Sequence, residues 1–167
     1  PLPLDEGMRT NLRGVNLTNA NLKQANLFGA NLTHANLTRA NLTNTNLRAA
    51  KLTNANLTGV NLNKVVLKGA DLTQVDLTDV DLTEANLGFT KLTGMDLSNR
   101  NLVNVNLMFA NLSGTNLTGS DLSDANLNQA NLSKATLSGA NLTGKNMIGT
   151  KFCKTIMPDR SVNNSGC

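Results

Sequence analysis

This 167-residue chain has a single histidine to act as an imidazole base or ligand and two cysteines to act as thiols. A catalytic nucleophile needs a base within hydrogen-bond reach and a third group to orient that base. A zinc site needs three or four His, Cys or carboxylate ligands brought together. His34 is far in sequence from Cys153 and Cys167, so none of these sets can be assembled from neighbours. His34 reads as a solvated surface residue. The two cysteines would form a disulfide or stand as two unrelated thiols. Asn-Leu-Thr triplets such as Asn16-Leu17-Thr18 match the glycosylation pattern, but they are a by-product of a repeat. No catalytic residue, cofactor, metal or small molecule is expected, and the chain does not read as an enzyme.

The repeat explains why so little chemistry is present. Leu recurs at every fifth position from Leu12 to Leu142, giving 27 leucines in register, and Met147 and Phe152 extend the series. Small apolar residues such as Ala20, Ala35, Val60, Val65 and Ala110 stand two positions before the leucine. Asn or Asp usually precedes it, and Thr or Ser often follows. In an α-helix, five residues advance about 140°, so the leucines would point to every side. In a continuous strand an odd period would alternate their faces. What fits is a short extended piece followed by a turn. The leucine and the residue two before it point inward, and the Asn or Asp between them points outward. Gly14, Gly29, Asn54, Gly59, Gly94, Gly139 and Gly149 fall at the turn, where positive φ is needed. Pro1, Pro3 and Pro158 all lie outside the ladder, whose coils need backbone N–H donors.

Composition agrees with a stacked core. Hydrophobic residues make up 40%, yet there are four Phe and no Tyr or Trp, so the core is built from one side chain used repeatedly. The net charge of +4 implies no nucleic-acid partner by itself. No apolar run approaches the roughly 20 residues of a membrane helix.

The residues that follow each leucine reveal the number of sides. Taken every fourth repeat, one class is Thr18, Thr38, Thr58, Thr78, Ser98, Thr118 and Ser138. Another is Phe28, Arg48, Lys68, Gly88, Met108, Asn128 and Ile148, with no Ser or Thr. A lag of 20 means four sides per coil. About seven coils at about 4.8 Å give a rod on the order of 35 Å long.

Segments such as Ala25-Asn26-Leu27-Phe28-Gly29 and Ala35-Asn36-Leu37-Thr38-Arg39 resemble the pentapeptide repeat family, with its Ala-(Asp/Asn)-Leu-x-x motif. The resemblance covers about residues 10–154. It implies an all-β solenoid, a right-handed quadrilateral β-helix. Residues 1–9 would be an N-terminal cap, with Leu2, Leu4 and Met8 over the first coil. Residues 155–167 would be a short helical cap, bounded by Pro158 and Gly166, with Ile156, Met157 and Val162 over the last coil. A Cys153–Cys167 disulfide would pin that cap, contributing about 3 kcal/mol, and would require an oxidising compartment. The tail Thr155 to Cys167 also resembles the ends of secreted cyanobacterial and chloroplast-lumen members. That resemblance implies the periplasm or thylakoid lumen, with a signal peptide removed.

Two features depart from the repeat. Arg100 stands where small inward residues belong, between Val80 and Ser120 of adjacent coils. Either that side splays open and the guanidinium reaches solvent or an acid such as Asp81 or Asp121, or Arg100 anchors a ligand or partner. Met95 marks the same widening, and Lys145 is inward near the end. Charge is also segregated: eight basic residues and no acids lie between Gly7 and Ala70, followed by Asp71, Asp76, Asp79, Asp81, Glu84 and Asp96. The side lacking Ser and Thr is the candidate interface: Phe28, Arg48, Val66, Lys68, Phe89, Met108, Phe109 and Ile148. Phe89 and Phe109 should stack in adjacent coils; the competing reading is a different turn type or cap contacts.

The function expected is a rigid structural or protein-interaction rod, a monomer or weak homodimer with an unidentified protein partner. The alternative is DNA mimicry, as in family members that bind gyrase, but its acidic surface covers about one coil of a positively charged chain. A flat Ser/Thr side for ice binding is a third, weaker reading.

Overall fold

Each pentapeptide folds through one hydrogen bond and one unusual dihedral. The Leu12 carbonyl accepts the Val15 N–H at 3.2 Å, and the Leu17 carbonyl accepts the Ala20 N–H at 3.0 Å. Each is a β-turn whose second central residue is left-handed, with φ running from 54° at Ala49 to 69° at Gly94. The glycines and Asn54 expected at this corner all have positive φ, but so do His34, Arg39, Phe89 and Lys134. Val, Ile and Thr never occur at the corner, from Gly14 to Lys154, because a branched Cβ resists this conformation.

The Asn or Asp before the leucine closes the turn from outside. Its Oδ1 accepts the N–H two residues on, as from Arg13 to Asn11 at 3.2 Å and from Thr83 to Asp81 at 3.0 Å. Where Thr or Ser follows the leucine, its hydroxyl often donates to the same oxygen, as Thr18 does to Asn16 at 2.6 Å. This local role explains the preference for these residues.

The computed structural model describes residues 10–77 and 80–167 as a stack of four-sided coils. The expected N-terminal cap, residues 1–9, lies outside the described residues, as do Thr78 and Asp79. Parallel bridges join positions 20 apart: Asn11 to Asn31 on side 1, Asn16 to Asn36 on side 2, Asn21 to Asn41 on side 3, Asn26 to Asn46 on side 4. The Leu12 N–H donates to the Asn31 carbonyl at 2.8 Å, the Gly14 N–H to the Thr33 carbonyl at 2.9 Å, and the Asn31 N–H returns to the Thr10 carbonyl at 2.9 Å. The leucines from Leu32 to Leu137 fill the axis, with Ala and Val beside them. Inward threonines are satisfied there: the Thr45 hydroxyl donates to the Leu22 carbonyl at 2.7 Å, and that of Thr115 to the Leu92 carbonyl at 2.8 Å.

Side 4 carries bridges without interruption from Asn26 to Asn146. Among the described residues, the ladders of sides 1 and 3 break between Asp71 and Lys91 and between Asp81 and Asn101, and that of side 2 resumes at Asp96. The gap lies beneath the coil that carries Met95 and Arg100 at inward positions. Side chains larger than Ala or Val cannot fit between coils held at strand spacing, so the coils part. Leu72, Leu77 and Leu82 remain buried across this seam.

The C-terminal tail is not a helix. Thr155–Ile156 (β1) pairs antiparallel with Val162–Asn163 (β2) in a hairpin. Pro158 serves as a turn residue: the Arg160 N–H donates to the Met157 carbonyl at 2.9 Å, and Arg160 is left-handed at φ 69°. Proline's fixed φ suits this turn as well as a helix start, and the hairpin adds ladder bonds that a short helix would forgo. Ile156 continues side 2 by bridging Thr136. Phe152 is buried and Met157 packs on the core, while Val162 is 60% exposed. Cys153 is bonded to Cys167.

Candidate interaction face

The corner that follows side 4 is chemically distinct from the other three. Its turn residues are Phe28-Gly29, Arg48-Ala49, Lys68-Gly69, Gly88-Phe89, Met108-Phe109, Asn128-Gln129 and Ile148-Gly149. The lag-20 stacking sets them in a column. Neither these residues nor the side-4 residues before them include a carboxylate. Along side 4 itself, Asn46 Nδ2 donates to Asn26 Oδ1 at 3.0 Å, and Asn106 Nδ2 to Asn86 Oδ1 at 3.3 Å. Val66 interrupts this asparagine ladder and is half-buried.

Phe89 and Phe109 stack with ring centroids 4.7 Å apart and planes 23° from parallel. The Lys68 ammonium lies 4.9 Å from the Phe89 centroid. Both rings are substantially exposed, 51% and 44%. Gly88 permits close stacking beneath them: a Cβ there would fall 3.2 Å from Asn86 Oδ1 and 3.3 Å from the Met108 carbonyl oxygen. The structure thus brings together Lys68, Phe89 and Phe109, with Met108 half-buried alongside. Arg48 is exposed higher in the column. Phe28 and Ile148 lie on the same corner toward opposite ends of the rod, in coils separated from the stack.

The turn itself gains nothing from these aromatics. Phe89 and Phe109 have φ of 61° and 59°, and a left-handed L-residue costs roughly 1–2 kcal/mol. Ring stacking returns about 0.5–1.5 kcal/mol and an exposed cation–π contact about 0.5–1 kcal/mol. Glycine at the same corner avoids the cost outright, as at Gly29, Gly69 and Gly149.

The other candidates resolve differently. Arg100 is half-buried, and its Nε donates to the Ser98 carbonyl at 3.0 Å. Its charge also contributes to Asp96 lying below the usual carboxylate range, behind the hydrogen bonds from the Ser98 hydroxyl and N–H. The guanidinium is thus paired rather than buried bare. Lys145 is exposed. Along the acidic band, Lys64 Nζ lies 3.5 Å from Glu84 Oε2, a pair of exposed groups worth little. Among the described residues no His, Cys, Asp or Glu cluster could hold a metal, and no helix is long and apolar enough to cross a membrane. His34 is an exposed corner residue.

A solenoid of four-sided pentapeptide coils, with one face set apart from the rest, defines a class of repeat protein. The chain belongs to the pentapeptide repeat family: the model "Pentapeptide repeats (8 copies)" matches residues 8–44, 40–79, 81–119 and 120–157. Members of this family fold as right-handed quadrilateral β-helices. No curated protein matches the chain. Among solved structures, it is similar to HetL, a pentapeptide repeat protein involved in heterocyst differentiation regulation from the cyanobacterium Nostoc sp. strain PCC 7120. The identity is 37% and the TM-score 0.61, over 93% of this chain and 73% of HetL. Full-length QnrB1, a plasmid-mediated fluoroquinolone resistance protein, is 20% identical with a TM-score of 0.47, over 81% of this chain and 82% of QnrB1. A pentapeptide repeat protein from the Arabidopsis thaliana thylakoid lumen is 23% identical with a TM-score of 0.22, over 84% of this chain and 66% of its own.

Proposed function

We propose that the chain is a non-enzymatic rod that docks a protein partner through the corner following side 4. The exposed Phe89–Phe109 stack on left-handed backbone carries this reading. Exposed aromatic residues that do not serve the fold are characteristic of binding surfaces. Side 4 supports the role mechanically, because its bridges run unbroken and hold the column in register. Phe28, Arg48, Val66, Lys68, Met108 and Ile148 extend the face along the rod. The Cys153–Cys167 bond supports an oxidising location, the periplasm or thylakoid lumen.

The test is a comparison of wild type with Phe89→Ser/Phe109→Ser. Light scattering would follow self-assembly, and affinity capture from the native organism would follow partner binding. Loss of the captured species with an unchanged melting temperature supports the face. Unchanged assembly and capture would remove it.

A further inference from the structure

The order of side chains along this corner specifies the chemistry of its partner. Arg48 and Lys68 come first, then the rings of Phe89 and Phe109, each one coil further along the rod. Lys51 and Lys91 stand on the adjoining side 1, with Asp71 between them. Four cations thus border the face against one carboxylate. The Asp71 carboxylate is already engaged, accepting from the Thr73 hydroxyl at 2.6 Å, the Thr73 N–H at 3.0 Å and the Thr53 hydroxyl at 3.2 Å. Other carboxylates such as Asp81, Glu84 and Asp121 stand on side 3 or its corner, away from the column.

Building on the face proposed above, we infer that it takes an acidic protein segment whose carboxylates meet Arg48 and Lys68 and whose apolar residues meet the edges of Phe89 and Phe109. The cations would select the partner by charge and steer its approach, while the rings exclude water at the centre. Because cations and rings occupy successive coils, the segment has a direction: its acidic part lies toward Arg48 and its apolar part toward Phe109. Single-stranded nucleic acid also pairs phosphate with cations and bases with aromatic faces. Here one face of Phe89 is taken by the Lys68 ammonium and the other by Phe109. Phe89 thus presents its edge, and a single face of Phe109 is left for stacking, which suits aliphatic side chains better than a run of stacked bases.

Selection of a random peptide library displayed on phage tests this, panning on wild type and counter-selecting on Phe89→Ser/Phe109→Ser. The expected survivors carry Asp or Glu on one side of an apolar cluster. They should weaken tenfold or more on Arg48→Glu/Lys68→Glu, by a smaller factor on Arg48→Gln/Lys68→Gln, and as salt rises. Survivors that are neutral or basic, or indifferent to the charge reversal, would leave the face in place and overturn the acidic partner. No survivors at all would count against both readings. Tighter binding of oligo(dT) than of any selected peptide, lost in the Phe variant, would overturn the protein-segment assignment. Melting curves of the charge and Phe variants, all changed at exposed positions, separate lost binding from lost folding.

Discussion

Cys153, at the end of the last pentapeptide, is bonded to Cys167, the last residue of the chain. The bond closes the hairpin onto the rod beside two further ties. The Phe152 N–H donates to the Ser165 carbonyl at 3.0 Å, and the Lys154 N–H to Asn164 Oδ1 at 3.1 Å. A linear stack unravels from its ends, so whatever locks an end slows or prevents that. Reduction, or Cys153→Ser/Cys167→Ser, should lower the unfolding free energy by about 3 kcal/mol on a loop-entropy estimate. Denaturant unfolding with and without reductant measures this. Hydrogen exchange should show protection lost first in residues 132–157. Loss spread evenly over the rod would contradict an end-locking role.

The ladder and the face should separate cleanly under mutation. Leu107 is fully buried in the axial stack, and Leu107→Ala should cost about 2–5 kcal/mol. Phe89 lies one coil earlier, exposed and left-handed. Phe89→Gly removes the backbone cost together with the ring contacts, so the net change should stay within about 1 kcal/mol of zero. Thermal melts of the two variants decide the matter. A Phe89→Gly loss as large as that of Leu107→Ala would make the ring a structural element.

The fold was legible because each rung repeats the same constraint. The lag of 20 in residues such as Thr18, Thr38 and Thr58 reports the same four-sided coil as the Asn11–Asn31 bridge. The Phe89–Phe109 stack followed from that lag alone, whereas Arg100 stood out only as a charged residue at an inward position. What failed was the tail, where no period operates. Pro158 and Gly166 suit a helix or a turn equally, and only the pairing of Thr155 with Asn163 decides between them. The cation over the ring was legible in principle, since Lys68 and Phe89 fall in adjacent coils. The exclusion of Val, Ile and Thr from every corner was a stronger turn signal than the glycines.

Acid should loosen the turns before it affects the core. Asp71 lies below the usual carboxylate range, first through the Thr73 hydroxyl and then through the Thr73 N–H. Asp96, Asp121 and Asp159 are lowered in the same way by Ser98, Ser123 and Ser161. A lowered native pKa means that folding favours the ionised form. That contribution is fully present above the ordinary value of 3.8 and is lost as the pH falls through the native values below it. Stability should therefore be level above about pH 5 and decline below about pH 4. Asn keeps the Oδ1 acceptor, as Asn11 and Asn16 show. Replacing the four aspartates by Asn should preserve the fold and flatten the acid limb, measured as the denaturation midpoint against pH. An unchanged limb would place the acid sensitivity elsewhere.

The seam offers the sharpest test of how side-chain size sets the ladder. Met95 and Arg100 fill inward positions on the coil above the break, while their neighbours one coil back, Val75 and Val80, are buried. Their neighbours one coil on, Thr115 and Ser120, are buried with their hydroxyls bonded to Leu92 and Leu117 carbonyls. The ladder is intact on that side, through Asp96–Asn116 and Asn101–Asp121. Of the two hydroxyl bonds only that of Thr115 crosses between coils; the misfit falls on the earlier side, where Val75 offers no such bond. Met95→Ala/Arg100→Ala should let the coils close, restoring rungs from Asp71 to Lys91 and from Asp81 to Asn101. Closure gives up the contacts of Arg100, its Ser98 hydrogen bond and its charge interaction with Asp96 among them, for several ladder bonds, each worth about 1 kcal/mol net, so the melting temperature should hold or rise. Hydrogen exchange reads the rungs directly: the amides of Leu72, Leu82, Lys91 and Asn101 should gain protection in the variant. If they exchange as fast as in wild type, inward bulk is not what parts the coils.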